Sequence, residues 1–193
     1  MHINQQVHDF VINLLKTKIA ATYFYHNYVH TVYVTDKVVE IGKQENCTEE
    51  EIKLLATAAL WHDTGYIHTY KGHEEESCLL VRQYLPGNGF TTADINKICG
   101  MIMATKIPQS PQNKLEEIIA DADLEYLGTS NAAELANNLF KELKALNPLL
   151  TEADWNETQI QFLTAHRYFT GYCKANKEQL KQAYLQSLVS NNT

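Results

Sequence analysis

What the chain lacks narrows the field first. Its four cysteines (Cys47, Cys78, Cys99 and Cys173) lie far apart and form no C-x-x-C pair. That removes the case for a thiolate zinc site and for a disulfide framework. Proline (4) and glycine (8) are scarce in 193 residues, which argues against an all-β or linker-rich chain. No apolar run reaches the ~18 residues of a membrane-spanning helix, so none is expected. The N-terminal stretch VHDFVINLLK is interrupted by Asp9 and closed by Lys16, so it has no signal-like apolar core. A reducing cytoplasm is the expected location. Acidic residues outnumber basic ones, 23 to 16, for a net charge of −7. No global field therefore draws the chain to nucleic acid. An anionic small substrate stays open, because a bound cation inverts the local field.

What is present is helical periodicity almost throughout. Apolar residues from Val7 to Leu15 mark a first helix, and those from Val29 to Ile41 a second, rich in β-branched residues. Thr48 followed by Glu49, Glu50 and Glu51 is an N-cap with an acidic first turn, opening a third helix towards Trp61. Gly65 is a candidate stop. Further helices are expected from His73 to Tyr84, from Ala93 to Thr105 with Thr92 as cap, from Leu115 to Leu127, from Ser130 to Leu146 and from Thr151 to Tyr168. A polar helical tail runs from Lys174 to Leu188, and SNNT is expected to fray. No alternating run is long enough for a sheet. The reading is an all-α helical bundle, one domain over 1–193, with a core of about 25–128 and C-terminal helices 130–190 packed on it.

Three segments gather metal-type ligands. WHDTGY (61–66) sets His62 beside Asp63 straight after an apolar helix. Adjacent helical residues point ~100° apart, so both reach one ion only at a helix end. Alone, the pair also fits a solvated turn. YHNYVHT (25–31) carries His26 and His30 on one helical face; either can donate an imidazole, and a surface pair is the plain alternative. IIADADLEYLG (118–128) places Asp121 and Asp123 in an apolar run. Two residues apart, they cannot share one helical face. A core-facing carboxylate must be paired or metal-bound, unless both act as helix caps. The other histidines read as ordinary: His2 terminal, His8 and His166 on helices, His68 in a solvated loop. His166–Arg167 reads as the basic end of its helix.

In order, YHNYVHT, WHDTGY, GHEEES and DADLEYLG resemble the HD-domain superfamily of metal-dependent phosphohydrolases, closest to small bacterial members. The resemblance covers about residues 25–128 and implies that family's all-α fold. His30–Thr31 fits the first position better than His26–Asn27, and His62–Asp63 is the doublet. Asp123 is chosen for the last position, with Asp121 as its neighbour. This implies one divalent ion (Mn, Fe, Ni, Co, Zn or Mg) held by His30, His62, Asp63 and Asp123. Binuclear members add histidines, and His73 is one candidate, but residues 98–106 hold none. A di-iron oxygenase is disfavoured for that reason, and Thr64-Gly65-Tyr66 departs from a GYP triplet.

The implied reaction is hydrolysis of a phosphomonoester or phosphodiester in a small, nucleotide-like molecule. Asp63, His73 and Glu74 are the candidate acid–base groups, with Glu75 as an alternative base. Lys106, and beside it Lys71 or Arg82, are candidate phosphate contacts. Tyr28, Tyr66 and Tyr126 are candidates for stacking on a base or sugar. A plain acidic first turn also explains Glu74 to Glu76. The rival readings are a non-catalytic metal- or nucleotide-binding member and an all-α interaction module with no metal.

Overall fold

The computed structural model describes residues 4–191. His2 and the last two residues of the SNNT end lie outside them. Among the described residues the chain is one helical bundle with no strand. Its ten α-helices are α1 (Gln5–Lys18), α2 (Tyr28–Gln44), α3 (Glu49–Trp61), α4 (His73–Tyr84), α5 (Thr92–Ala104), α6 (Lys114–Asp123), α7 (Ala132–Leu146), α8 (Glu152–Ala165), α9 (Gly171–Asn176) and α10 (Glu178–Asn191). Among the described residues no helix is long and apolar enough to cross a membrane.

The centre is α3, and its sequence explains why. From Leu54 to Trp61 every side chain is buried, so the helix is apolar all round and must be surrounded. It packs between α2, α5 and α6. Its start is fixed by a capping box: Thr48 Oγ1 accepts from the Glu51 N–H at 3.2 Å, and Glu51 Oε2 accepts from the Thr48 N–H at 2.8 Å. Its far end delivers His62 and Asp63. Asn27 caps α2 by accepting from the Val29 N–H at 2.9 Å, which places His30 in the first turn. The β-branched residues of α2 do not prevent the helix, because Val34, Val38 and Ile41 are buried against α3 and packing outweighs propensity.

Several ends differ from the periodic reading. The helix expected over Leu115 to Leu127 stops at Asp123, and a 3-10 turn, Glu125–Gly128, follows. The apolar spacing of Leu124 and Leu127 continues through that turn, so periodicity alone hides the break. Thr91, not Thr92, caps α5, again with a capping box to Asp94. The helix expected to reach Tyr168 ends at Ala165, with His166 as its C-cap residue. The tail is broken at Lys177 into α9 and α10.

A second apolar cluster lies away from the main core. Tyr25, Leu124, Tyr126, Leu127 and Leu163 are buried there, flanked by half-buried Leu139, Phe162 and Tyr184. Two buried carboxylates tie this region down. Asp121 accepts from the Phe169 and Thr170 N–H groups, both at 2.8 Å, and from the Thr170 hydroxyl at 2.7 Å. Glu125 takes the Tyr33 hydroxyl and the Lys177 ammonium.

Candidate metal centre

The ligand-type side chains all come from helix ends. His30 stands in the first turn of α2, His62 and Asp63 follow α3, His73 opens α4, and Asp123 closes α6. A helix end frees a side chain from the 3.6-residue period, so residues from separate helices can converge on one point.

His62 is oriented by the turn before it. Its Nδ1 lies 2.7 Å from the Ala59 carbonyl oxygen. A carbonyl only accepts, so Nδ1 carries a proton and Nε2 faces the cluster, where losing its own proton frees a lone pair for a cation. Ser77 fixes the backbone beside it: its hydroxyl donates to the His62 carbonyl at 2.6 Å and accepts from the Gly65 N–H at 2.8 Å. Gly65 is required there, because a Cβ would overlap the His73 carbonyl where the 3-10 turn Thr64–Ile67 meets α4. The sequence sets a glycine two residues after the doublet for this close approach.

Four atoms then meet. His30 Nε2 lies 3.0 Å from Asp123 Oδ1 and 3.5 Å from Asp63 Oδ2. His62 Nε2 lies 3.2 Å from Asp63 Oδ2 and 3.5 Å from Asp123 Oδ1. His30, His62 and Asp123 have ligand atoms all within 4.8 Å of one another and can hold a divalent metal ion. Asp63 stands outside that three-residue cluster and faces its two imidazoles. His62 is 1% exposed and Asp63 3%, yet His62 Nε2 and Asp63 Oδ2 lack a hydrogen-bond partner. The two lie 3.2 Å apart as an ion-pair contact but make no hydrogen bond there, and a buried polar atom without one carries a cost. A cation between them removes that cost, so the donor set fits a divalent ion.

Protonation tells the same story. Burial works against the His62 imidazolium, but the charges of Asp63 and Asp123 outweigh it and hold its pKa well above the usual histidine value. Burial pushes the other way on Asp63, yet the His62 charge holds that carboxyl well below the usual range. Asp123 is likewise held low, by His30 and His62 against the effect of burial. Protons on imidazole thus balance the carboxylates where a metal ion would otherwise do so.

The cluster lies on the wall of a cavity of about 480 Å³. Asp63, His73, Glu74 and Asp123 line it near the cluster, with Lys71 and Lys106 beside them. His73 Nε2 lies 3.5 Å from Asp63 Oδ1, and His73 Nδ1 lies 3.5 Å from Glu74 Oε2. Tyr66 stacks on His73 with ring centroids 3.8 Å apart. Tyr66 and Tyr126 both line the cavity; Tyr28 does not, and its half-exposed ring lies under Lys16. Lys106 is paired with Glu75. Arg82 bonds to Asn96 at 2.8 Å and lines no part of this cavity.

The neighbours of the doublets sort themselves clearly. Asp121, an alternative to Asp123, is spent on the 169–170 backbone. His26 is not in the cluster: its Nδ1 lies 2.5 Å from Glu142 Oε1, and its ring lies 4.5 Å from Tyr66. Glu142, on α7, also accepts from the Tyr25 and His26 N–H groups at 2.9 and 3.0 Å. It clamps the entry to α2 from 116 residues away in sequence, so no local pattern announced it. His8 sits 3.2 Å from Asp9, and His68 sits 2.5 Å from Glu76, both at the surface.

Comparison with known proteins agrees with this geometry. An HD-domain model matches residues 27–125, a span that begins just before His30 and ends just after Asp123. The chain belongs to the HD-domain family. A predicted HD superfamily hydrolase from an uncultured Thermotogales bacterium has a similar fold, with TM-score 0.64 and 20% identity over 98% of this chain and 91% of that one. Bacillus subtilis YpgQ, solved in complex with ADP, is similar with TM-score 0.67 and 18% identity over 97% of this chain and 93% of that one. At these identities the likeness is one of fold. The curated proteins give no match. Family, fold and cluster together are those of a metal-dependent hydrolase in general terms.

Proposed function

We propose that this HD-domain protein is a metal-dependent phosphohydrolase that cleaves a phosphomonoester or phosphodiester bond in a small, nucleotide-like molecule. The observation that carries the reading is the unpartnered pair, His62 Nε2 and Asp63 Oδ2, buried beside an open cavity. His30, His62, Asp63 and Asp123 would hold one divalent ion, of the Mn, Fe, Ni, Co, Zn or Mg class. When bound, the ion supplies Lewis acidity and lowers the pKa of a coordinated water.

The chain's own groups supply the rest. Lys71 and Lys106 bring positive charge to the cavity for the phosphoryl oxygens. Lys106 is paired with Glu75, and that bond holds the Glu75 carboxyl below its usual pKa, which makes Glu75 a poor base. Glu74, His73 and Asp63 form a short polar chain that leads from the cavity wall to the cluster. Glu74 is the candidate base, and His73 carries its proton or orients it. Tyr66 keeps the His73 ring in place by stacking. The core over about 25–128 holds the ion, and the C-terminal helices 130–190 form the other side of the cavity. The ADP bound in YpgQ supports a nucleotide-like ligand.

The test is hydrolysis by metal-stripped protein reloaded with one divalent ion at a time. The substrates are p-nitrophenyl phosphate, bis(p-nitrophenyl) phosphate and a nucleotide panel. The expected result is phosphate-ester cleavage that needs the ion and drops by about three orders of magnitude in Asp63→Ala. Stoichiometric metal with no cleavage of any ester would leave a binding protein and end the enzyme reading.

A further inference from the structure

The cavity does not stop at the metal centre. From Asp63 and Asp123 it continues into a chamber between the 3-10 turn Glu125–Gly128, α7, α8 and α10. Leu124, Leu127, Leu139, Leu143, Phe162 and Leu163 line this end. Most of it lies beyond residue 125, outside the span that the family model matches. Most of its polar side chains already make hydrogen bonds; the Trp155 indole N–H makes none. The Tyr184 hydroxyl donates to Gln159 Oε1 at 2.6 Å, and Gln159 Nε2 donates to Asn156 Oδ1 at 3.3 Å. The Thr158 hydroxyl donates to the Asp154 carbonyl at 2.8 Å. The Tyr126 ring packs on Tyr25 with centroids 5.4 Å apart. The phosphate end of the cavity is charged; the far end is mostly apolar area with few free hydrogen-bonding groups.

We propose that this chamber holds the organic end of the substrate by its apolar faces. An aromatic group with no hydrogen-bonding edge then serves as well as a nucleobase, and the protein does not choose among bases. The inference rests on the phosphohydrolase reading only for which end takes the phosphate. Its physical basis is an asymmetry of recognition. A site discriminates strongly when its own buried polar groups are left unpaired by the wrong ligand. A wall whose polar groups are mostly engaged has little to leave unpaired, so contact area dominates affinity. Leu139 and Ala136, both on α7 and both facing the cavity, are the positions that set its width.

The test uses the full chain as purified, titrated by calorimetry with phosphonates that cannot be hydrolysed. Methylphosphonate reports the phosphate end alone. 1-Naphthylmethylphosphonate adds an apolar ring with no polar edge. The expected result is binding about tenfold or more tighter for the naphthyl compound. AMP and GMP should compete with it equally within about threefold, and so should CMP and UMP. Leu139→Gln and Ala136→Phe should each weaken the naphthyl compound about tenfold and leave methylphosphonate unchanged. Equal binding of the two phosphonates, a tenfold preference for one base, or no effect of either substitution overturns the inference. Tight naphthyl binding with no ester of the panel cleaved supports the chamber and ends the phosphohydrolase reading. Turnover without the apolar gain ends the chamber alone.

Discussion

Leu60 and Leu139 are both leucines on helices, and they face different surroundings. Leu60 lies in the packed centre between α2, α3, α5 and α6, where it is 0% exposed. Leu139 lies in the C-terminal cluster, half-buried, with one side on the 480 Å³ cavity. The centre is filled; the C-terminal region leaves space. The contrast assigns a task to each. A close-packed interior resists change, which suits helix ends that must hold four side chains within a few ångströms. A loosely filled region adapts to a ligand.

Substitutions sharpen that contrast, beginning with the largest effect. Leu60→Ala should destabilise by about 2–5 kcal/mol, because the centre cannot collapse around the void. Leu139→Ala should destabilise by about 1 kcal/mol, since that side chain already borders empty space. Urea unfolding of both variants measures the difference, and equal losses would break the comparison.

The two aspartates of IIADADLEYLG form the next test. Asp121→Ala removes the acceptor of three hydrogen bonds and should lower stability by about 2–4 kcal/mol, with metal content unchanged. Asp123→Ala should lose the metal and also lower the unfolding midpoint of the metal-free protein, because its carboxylate pairs with His30 and His62. Elemental analysis beside thermal unfolding reads both.

Metal affinity should follow pH. The His62 pKa is raised by its carboxylate neighbours, so the metal-free site carries a proton that the ion must displace. Affinity should rise as pH increases above the usual histidine value of about 6.5, by up to about tenfold per unit for each proton released. Titrations in buffers of different ionisation enthalpy count those protons.

A further effect belongs to His166, the C-cap residue of α8. Burial, helped by Lys181, lowers its pKa from 6.5 to about 4. The unfolded chain binds the proton more readily in that window. Its stabilisation is therefore complete above about 6.5 and is lost as pH falls through about 4. His166→Gln should flatten the stability profile across that window. An unchanged slope would contradict it.

Much of the centre was legible in the sequence. Thr48 and its acidic first turn marked the start of α3, and the largely apolar run to Trp61 marked its extent. WHDTGY announced a helix end with two ligand-type side chains, because burying them inside a regular helix is unfavourable. The end of α6 was not legible, since Leu124 and Leu127 keep the helical spacing through a 3-10 turn. Glu142 was not legible either: its partner His26 is remote in sequence, and one glutamate on an amphipathic helix carries no signal. The chamber was hidden for a related reason. Leu139, Phe162 and Leu163 show the same periodicity whether a helix face fills a core or lines a cavity. Pattern reports which face turns inward; only packing reports what is left between the faces.

The most direct measurement is metal content per chain, by elemental analysis of protein purified without chelator or metal-affinity tag, wild type beside Asp63→Ala. The account predicts close to one divalent ion per chain in the wild type and almost none in the variant. No ion in the wild type, even after titration with Mn and Mg, would contradict it.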